Sequence, residues 1–243
     1  VIQVGNDPAS SVYVRNKQKT AEKIGIQSET IHVDKTITQD ELMSLVNRYN
    51  EDNSVNGILV QLPLPNHIDE RIILESICPS KDVDGFHPLN VGKLNIGQQE
   101  MIPSTPAGII KLLKYYNIPI KGKHVVIVGR SNIVGKPLAH LLLNEHATVT
   151  IAHSQTEDLK ALTKQADILI VAVGRAEMIT ADYVKDNAVV VDVGINRTEN
   201  ELKGDVNFND VKSKVAFITP VPGGVGPMTI TMLMSQTVKA TKM

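Results

Sequence analysis

Five short runs in the second half of the chain, HVVIVG, ATVTIA, DILIVAV, AVVVDVG and AFIT, are almost wholly apolar and lie a helix-length apart. A strand wetted on one face alternates apolar and polar residues. Runs apolar at nearly every position must be covered on both faces, and crossover helices supply both covers, so the pattern predicts a parallel sheet. The first half repeats the rhythm more weakly, with VIQVG, a helix over about 8–24, ETIHV, a helix over about 39–51, then GILVQL. Asp7 ahead of Pro8 starts the first helix and Gly25 stops it, while Thr38 and Glu41 make a capping box for the second. From LPLPNHID through KDVDGFHPLNVGKLNIG the abundance of Pro, Gly and Asn reads as loops around one short helix near 69–77. A helix capped at Thr105, with Pro106 at its first position, marks a boundary, and a final helix over about 227–241 has an apolar side able to return to the first domain. The expectation is an α/β protein of two domains with a catalytic cleft between them. Residues 1–104 plus 226–243 form an N-terminal α/β catalytic domain, and 105–225 a Rossmann-like nucleotide-binding domain.

Charge narrows the function. A formal net charge of −1 over 243 residues leaves no excess of Lys and Arg for a nucleic-acid surface, so small-molecule chemistry is the expectation. Cys78 is the sole cysteine, which precludes an intrachain disulfide; with no flanking cation it reads as structural. The seven histidines show no ligand spacing, His140 and His146 falling six apart on a helix pattern and diverging, so no metal is expected. No apolar stretch approaches the roughly 18–20 residues of a membrane span. The chain opens without Met, inside a strand, so a preceding segment is expected. The single cysteine makes a reducing compartment, the cytoplasm, the simplest reading, although the same count suits many exported proteins, and an organellar targeting peptide stays open.

The nine residues GRSNIVGKP, from Gly129 to Pro137, join the run HVVIVG to the leucine-rich LAHLLL. The spacing of Gly129 and Gly135 fits neither the P-loop, which also needs a hydroxyl after Lys136, nor the GxGxxG fingerprint, which wants glycines where Ser131 and Val134 stand. Strand, turn and helix N-terminus still supply amides and a dipole for a pyrophosphate, with Ser131 able to add a hydroxyl. An ordinary tight turn fits the spacing equally well. The next strand decides more. An NAD site places an acid about 20 residues beyond the fingerprint, whereas ATVTIA runs into His153, Ser154, Gln155 and Thr156. A carboxylate there would repel a 2′-phosphate; serine, histidine and the nearby Arg130 would bind one, so the cofactor is expected to be NADP.

Tyr13 and Lys17 stand four apart in DPASSVYVRNK and so share a helix face, an arrangement that also suits a buried tyrosine beside a solvated lysine. Gln61 lies inside an apolar strand just before a proline-broken loop, and Asp82 and Asp84 lie in KDVDGFHP. Taken in order, SVYVRNK, GILVQLPLP, KDVDGFHP, GRSNIVGKP and PVPGGVGPMT closely resemble the bifunctional methylenetetrahydrofolate dehydrogenase/methenyltetrahydrofolate cyclohydrolase family over essentially the whole chain. The resemblance implies NADP-dependent oxidation of 5,10-methylenetetrahydrofolate to the methenyl form, then hydrolysis to 10-formyltetrahydrofolate. It implies catalytic roles for Tyr13, Lys17, Gln61 and Asp84, the last binding the pterin, and a folate site that also includes Val60 and Leu62. From PVPGGVGPMT it adds Pro222, Gly223, Gly224, Val225 and Gly226, where prolines stiffen the turn and glycines admit a close ligand. For the cofactor it implies Gly129, Arg130, Ser131, Ile133, Gly135, His153, Ser154 and Ile195, and it implies a homodimer.

Chemistry agrees with these assignments. Lys17 can accept a proton only while neutral, and a neutral amide such as Gln61 orients an amine without stabilising its charge. Two readings compete. A two-domain dehydrogenase similar to shikimate dehydrogenases leaves VQLPLP and PVPGGVGPMT unexplained, and a nonenzymatic nucleotide sensor need not keep Lys17, Gln61 and Asp84 together.

Overall fold

The structure, a computed structural model, describes residues 1–199 and 201–242. The chain divides into two compact units, Val1–Ile102 with Ile230–Met243, and Pro103–Thr229.

In the first unit β1 (Ile2–Val4) pairs in parallel with β2 (Ile31–Val33), Ile2 opposite Ile31. The crossover is α1 (Pro8–Lys23), whose N-cap Asp7 accepts the Ser10 amide at 2.7 Å. After β2, α2 (Gln39–Glu51) begins with the reciprocal Thr38–Glu41 capping box, a device worth about 1 kcal/mol. The GILVQL run does not become a regular strand. It joins the layer through single parallel bridges, Val60 to Ile2 on one side and Ile58 to Asp82 on the other. Because all these segments run in parallel, Gly5, Gln61 and Asp84 follow the carboxyl ends of neighbouring segments. The core below is made by Ile2, Leu42, Val46, Ile58, Val60 and Ile73.

Two helices follow, α3 (Glu70–Ser76) and α4 (Pro88–Asn95). The second lies where the sequence reads as loop. Pro88 occupies the first turn, where a missing N–H costs nothing, His87 Nδ1 accepts the Leu89 amide, and Leu94 is fully buried, so packing overrides the unfavourable Gly92.

The second unit opens with α5 (Ser104–Tyr115). Thr105 is not its cap: the helix starts behind Pro103 without a side-chain cap, and Thr105 Oγ1 instead meets Thr229 Oγ1 at 2.9 Å. Then come β3 (His124–Val128), α6 (Gly135–Asn144), β4 (Thr148–Ala152), α7 (Leu159–Thr163), β5 (Ile168–Val171) and β6 (Val189–Asp192). A small antiparallel pair, β7 (Asn196–Arg197) and β8 (Leu202–Lys203), precedes α8 (Phe208–Val211) and β9 (Phe217–Ile218). The sheet has the all-parallel order β4-β3-β5-β6-β9. β3 and β5 are buried almost completely, as their unbroken apolar runs require, each Val or Ile contributing about 1.5–3 kcal/mol. Chain progression reverses between β3 and β5, so the crevice for a ligand in a sheet of this kind opens at their carboxyl ends.

The last helix, α9 (Val225–Ala240), starts two residues before the expected 227 and runs from the second unit into the first. There the buried Gln236 accepts the Ile102 amide at 2.6 Å and donates to the Val83 carbonyl at 3.0 Å and to the Ile102 carbonyl. Among the described residues no helix is long and apolar enough to cross a membrane.

Candidate active site

The first unit brings Lys17 and Gln61 together across 44 residues of sequence. Lys17 is only 8% exposed, and its Nζ donates to Gln61 Oε1 at 3.0 Å. The other end of that amide is engaged too, Gln61 Nε2 donating to the Leu62 carbonyl at 2.7 Å. The amide is thus turned so that its oxygen faces the amine. Tyr13 stands one turn earlier on α1, half-buried, and burial raises its hydroxyl above the ordinary tyrosine value. Val60 is a core side chain, leaving its backbone for any ligand, and Leu62 packs on the same core.

Asp84 sits in a loop built around another aspartate. Asp82, buried, accepts the Gly85 amide at 3.1 Å, the His87 amide at 2.8 Å and Asn90 Nδ2 at 2.9 Å. Asn90, on α4, also donates to the Pro79 carbonyl at 2.9 Å. Gly85 takes φ +71°, which lets the chain turn directly after Asp84. With its own hydrogen-bonding capacity filled, Asp82 fixes the loop; Asp84 keeps partial solvent access and accepts no hydrogen bond from the described residues. Its carboxyl is nevertheless lodged deeply enough that desolvation, opposed by the positive charge of Lys17 and reinforced by Asp82, pushes it up to about 6. Asn90 and α4 are the parts of this half that sequence reasoning missed. The available signal was Pro88 directly behind a residue able to cap.

The second unit carries the other residues, those of the phosphate turn and its neighbours after β3 and β4, Ile195 after β6, and Pro222 to Gly226 after β9. Gly129 has φ +129°, and a Cβ there would stand 2.2 Å from the Ala172 carbonyl oxygen; one on Gly135 would stand 2.2 Å from the Gly129 oxygen. Both glycines are therefore required by the tightness of the turn. Ser131 Oγ accepts the amides of Val134 and Gly135 at 3.2 and 3.4 Å, which caps α6 from inside the turn and leaves the hydroxyl proton to donate. Arg130 is exposed, as are Ile133 and Ser154. His153 Nδ1 accepts the Gln155 amide at 3.2 Å, which assigns the remaining ring proton to Nε2 as a donor. Asp158, which with Glu157 is one of two acids that follow this segment, is occupied as the N-cap of α7, accepting the Ala161 amide at 3.1 Å. Ile195, 43% exposed, follows β6. In the turn ahead of α9, Pro222 and Gly223 are exposed, Gly223 has φ +101°, and Val225 and Gly226 open the helix; a Cβ on Gly224 would approach the Pro220 oxygen to 2.5 Å. Two buried aspartates escaped sequence reasoning, Asp192 and Asp205. Burial pushes Asp192 up to about 6 even though three amides donate to it.

The fold and these groups define a two-unit dinucleotide-binding α/β protein whose first unit carries an amine, an amide and a carboxylate for acid–base work on a small molecule. Comparison with known proteins specifies which. The family profile described as tetrahydrofolate dehydrogenase/cyclohydrolase, catalytic domain, matches residues 1–84, and that described as its NAD(P)-binding domain matches residues 103–243. The chain is 59% identical over 243 residues to the bifunctional protein FolD of Bacillus subtilis, covering all of this chain and 86% of that protein. Its fold matches the crystal structure of the bifunctional FolD dehydrogenase/cyclohydrolase from Campylobacter jejuni with a TM-score of 0.97 at 55% identity, over 99% of this chain and 86% of that one. A Trypanosoma brucei FolD, complexed with NADP cofactor and inhibitor, aligns at 0.95 and 38% identity, over 99% of this chain and 85% of that one. The chain belongs to the tetrahydrofolate dehydrogenase/cyclohydrolase family. Shikimate dehydrogenase from Aquifex aeolicus, at 13% identity and a TM-score of 0.59, shares the fold alone.

Proposed function

We propose that this chain oxidises 5,10-methylenetetrahydrofolate with NADP⁺ and hydrolyses the methenyl product to 10-formyltetrahydrofolate, with Lys17 as the group that moves protons. The observation that carries the reading is the buried Lys17 amine held at 3.0 Å by an amide oxygen, not by a carboxylate. Loss of hydride from the one-carbon bridge leaves a cation shared by two folate nitrogens, and bound NADP⁺ supplies the hydride acceptor. Water then adds to that carbon. Lys17 accepts a proton in the addition and returns one to the departing ring nitrogen as the carbon–nitrogen bond breaks and the formyl group remains on the other. Gln61 orients the amine, and Asp84, ionised above pH about 6, accepts the parallel N–H groups of the pterin's amino edge. Tyr13, one turn from Lys17, offers a ring for the folate to pack against and a hydroxyl to position it. In the first unit the backbone of Val60 and Leu62 adds further folate contacts. Gly129, Ser131 and Gly135 receive the pyrophosphate at the start of α6. Arg130, His153 and Ser154 favour a 2′-phosphate, while Ile133 and Ile195 give apolar surface to the nucleotide.

The family resemblance extends the proposal to a homodimer in the cytoplasm. The test is an absorbance assay that follows methenyl-folate formation with NADP⁺ or NAD⁺, then its decay in water. Lys17→Met is expected to slow the decay at least ~100-fold, the usual contribution of a positioned acid–base group. Full hydrolysis by that variant would refute the role.

A further inference from the structure

Three consecutive backbone amides that converge on one point form a nest suited to an anion, a device nucleotide folds use for phosphate. The segment after β5 has such a nest, and the protein fills it with its own carboxylate. Asp205, with no exposed surface, accepts the Val173 and Gly174 amides on Oδ2 at 2.6 and 3.0 Å, and the Arg175 amide on Oδ1 at 2.8 Å. The same Oδ1 takes Asn196 Nδ2 at 2.9 Å, which ties the segment after β5 to the one after β6. Asp205 is itself seated by Asp192, whose Oδ1 accepts the Asp205 and Gly194 amides at 2.9 and 3.0 Å and whose Oδ2 accepts the Val206 amide at 2.9 Å.

Two glycines exist to admit these carboxylates. A Cβ on Gly194 would stand 2.2 Å from Asp205 Cγ, and one on Gly204 1.8 Å from Asp192 Oδ2. Among the described residues neither carboxylate has a cationic partner, so the amides alone compensate the buried charge. Of the segments they hold, the one after β5 borders the β3–β5 crevice and starts at Ala172, whose carbonyl the Gly129 turn abuts.

We propose that Asp205, seated by Asp192, is a positioning residue for the dinucleotide: it occupies the anion nest after β5, locks that segment to Asn196, and so holds Ala172 in place against the phosphate turn. The inference rests on the dehydrogenase reading above. One corollary is that the amides of 173–175, turned onto Asp205, are unavailable to a phosphate, which leaves that task to the turn from Gly129 to Gly135.

Asp205→Asn tests it by putting an NH₂ group opposite existing N–H donors. NADPH affinity is read from nicotinamide fluorescence, which no tryptophan obscures. The variant is expected to bind NADPH at least about tenfold more weakly and to raise KM for NADP⁺ alike, with kcat at saturation changed less than about threefold. Hydrolysis of methenyltetrahydrofolate without nucleotide should stay within about twofold. Val211→Ala, which empties part of the same unit's core on α8, supplies the control at matched loss of thermal stability. NADPH binding by Asp205→Asn equal to that of the unsubstituted protein overturns the proposal, and so does an equal loss in Val211→Ala. If Asp205→Asn fails to fold, Asn196→Ala, which removes one donor of the four, should weaken NADPH about threefold, and unchanged affinity there overturns it as well. Failure of the unsubstituted protein to bind NADPH would instead defeat the dehydrogenase reading.

Discussion

Asp84 carries an unfavourable charge in the free protein, and removing that charge should stabilise the fold while damaging the activity. Its carboxyl is raised from an ordinary 3.8 to about 6, with burial as the largest cause. A displacement of that size is worth up to ~3 kcal/mol against the ionised form, and partial solvent access at Asp84 reduces this to ~1.5 kcal/mol. Because the folded state holds the proton more tightly than the unfolded chain, stability is lost as pH rises from near 4 to above 6. Asp84→Asn mimics the protonated side chain at every pH and breaks no hydrogen bond from the described residues. At pH 8 it should melt roughly 3–6 °C higher than the unsubstituted protein, at pH 5 by about half as much, and near pH 4 with little difference. Turnover should move the other way. An amide NH₂ facing the pterin's own N–H donors loses at least one charge-assisted bond, so KM for folate should rise about 10- to 100-fold. Thermal melts in a pH series and steady-state kinetics at pH 8 measure both. A melting difference that is flat with pH, or negative at pH 8, would refute the placement of Asp84 as a desolvated carboxylate.

Two further substitutions probe the nucleotide unit. Gly129→Ala puts a side chain at φ +129° with its Cβ 2.2 Å from a carbonyl oxygen, so it should cost about 2–4 kcal/mol and abolish NADPH binding; denaturant melts and fluorescence titration report both. Arg130→Ala should lower the NADP⁺ over NAD⁺ preference in kcat/KM by about tenfold, and an unchanged ratio would remove Arg130 from the 2′-phosphate site.

Segments whose conformation is set locally were legible in the sequence. α2 begins and ends at the residues the capping box and pattern mark, and the parallel strands of the second unit follow their unbroken Val and Ile runs. Segments set by distant partners were not. α4 contains Pro, Gly and Asn and reads as loop, because its anchors are Asn90 to Asp82 and the burial of Leu94, neither a property of the eight residues themselves. GILVQL has strand composition, yet it makes only isolated bridges because its neighbours contribute so few residues. At the site, no spacing rule brings Lys17 to Gln61; that pairing was expected only through the family resemblance. Asp192 and Asp205 were invisible for a related reason: each closes or follows a strand, where an aspartate ordinarily faces water. The clue was that glycines stand two residues after the first and one before the second, leaving space that the carboxylates occupy.

Gln236 reverses the usual order of maturation on the ribosome. Chains emerge N-terminus first and domains commonly fold in that sequence. Here the backbone beside Asp84, at Val83, and the backbone of Ile102, just ahead of α5, find their partner only on the helix ending at Ala240. The nucleotide unit, continuous from Pro103 to Thr229, is already fully synthesised by then. A chain truncated before residue 236 would thus carry every strand of the dinucleotide sheet and a folate half whose last seam is still open.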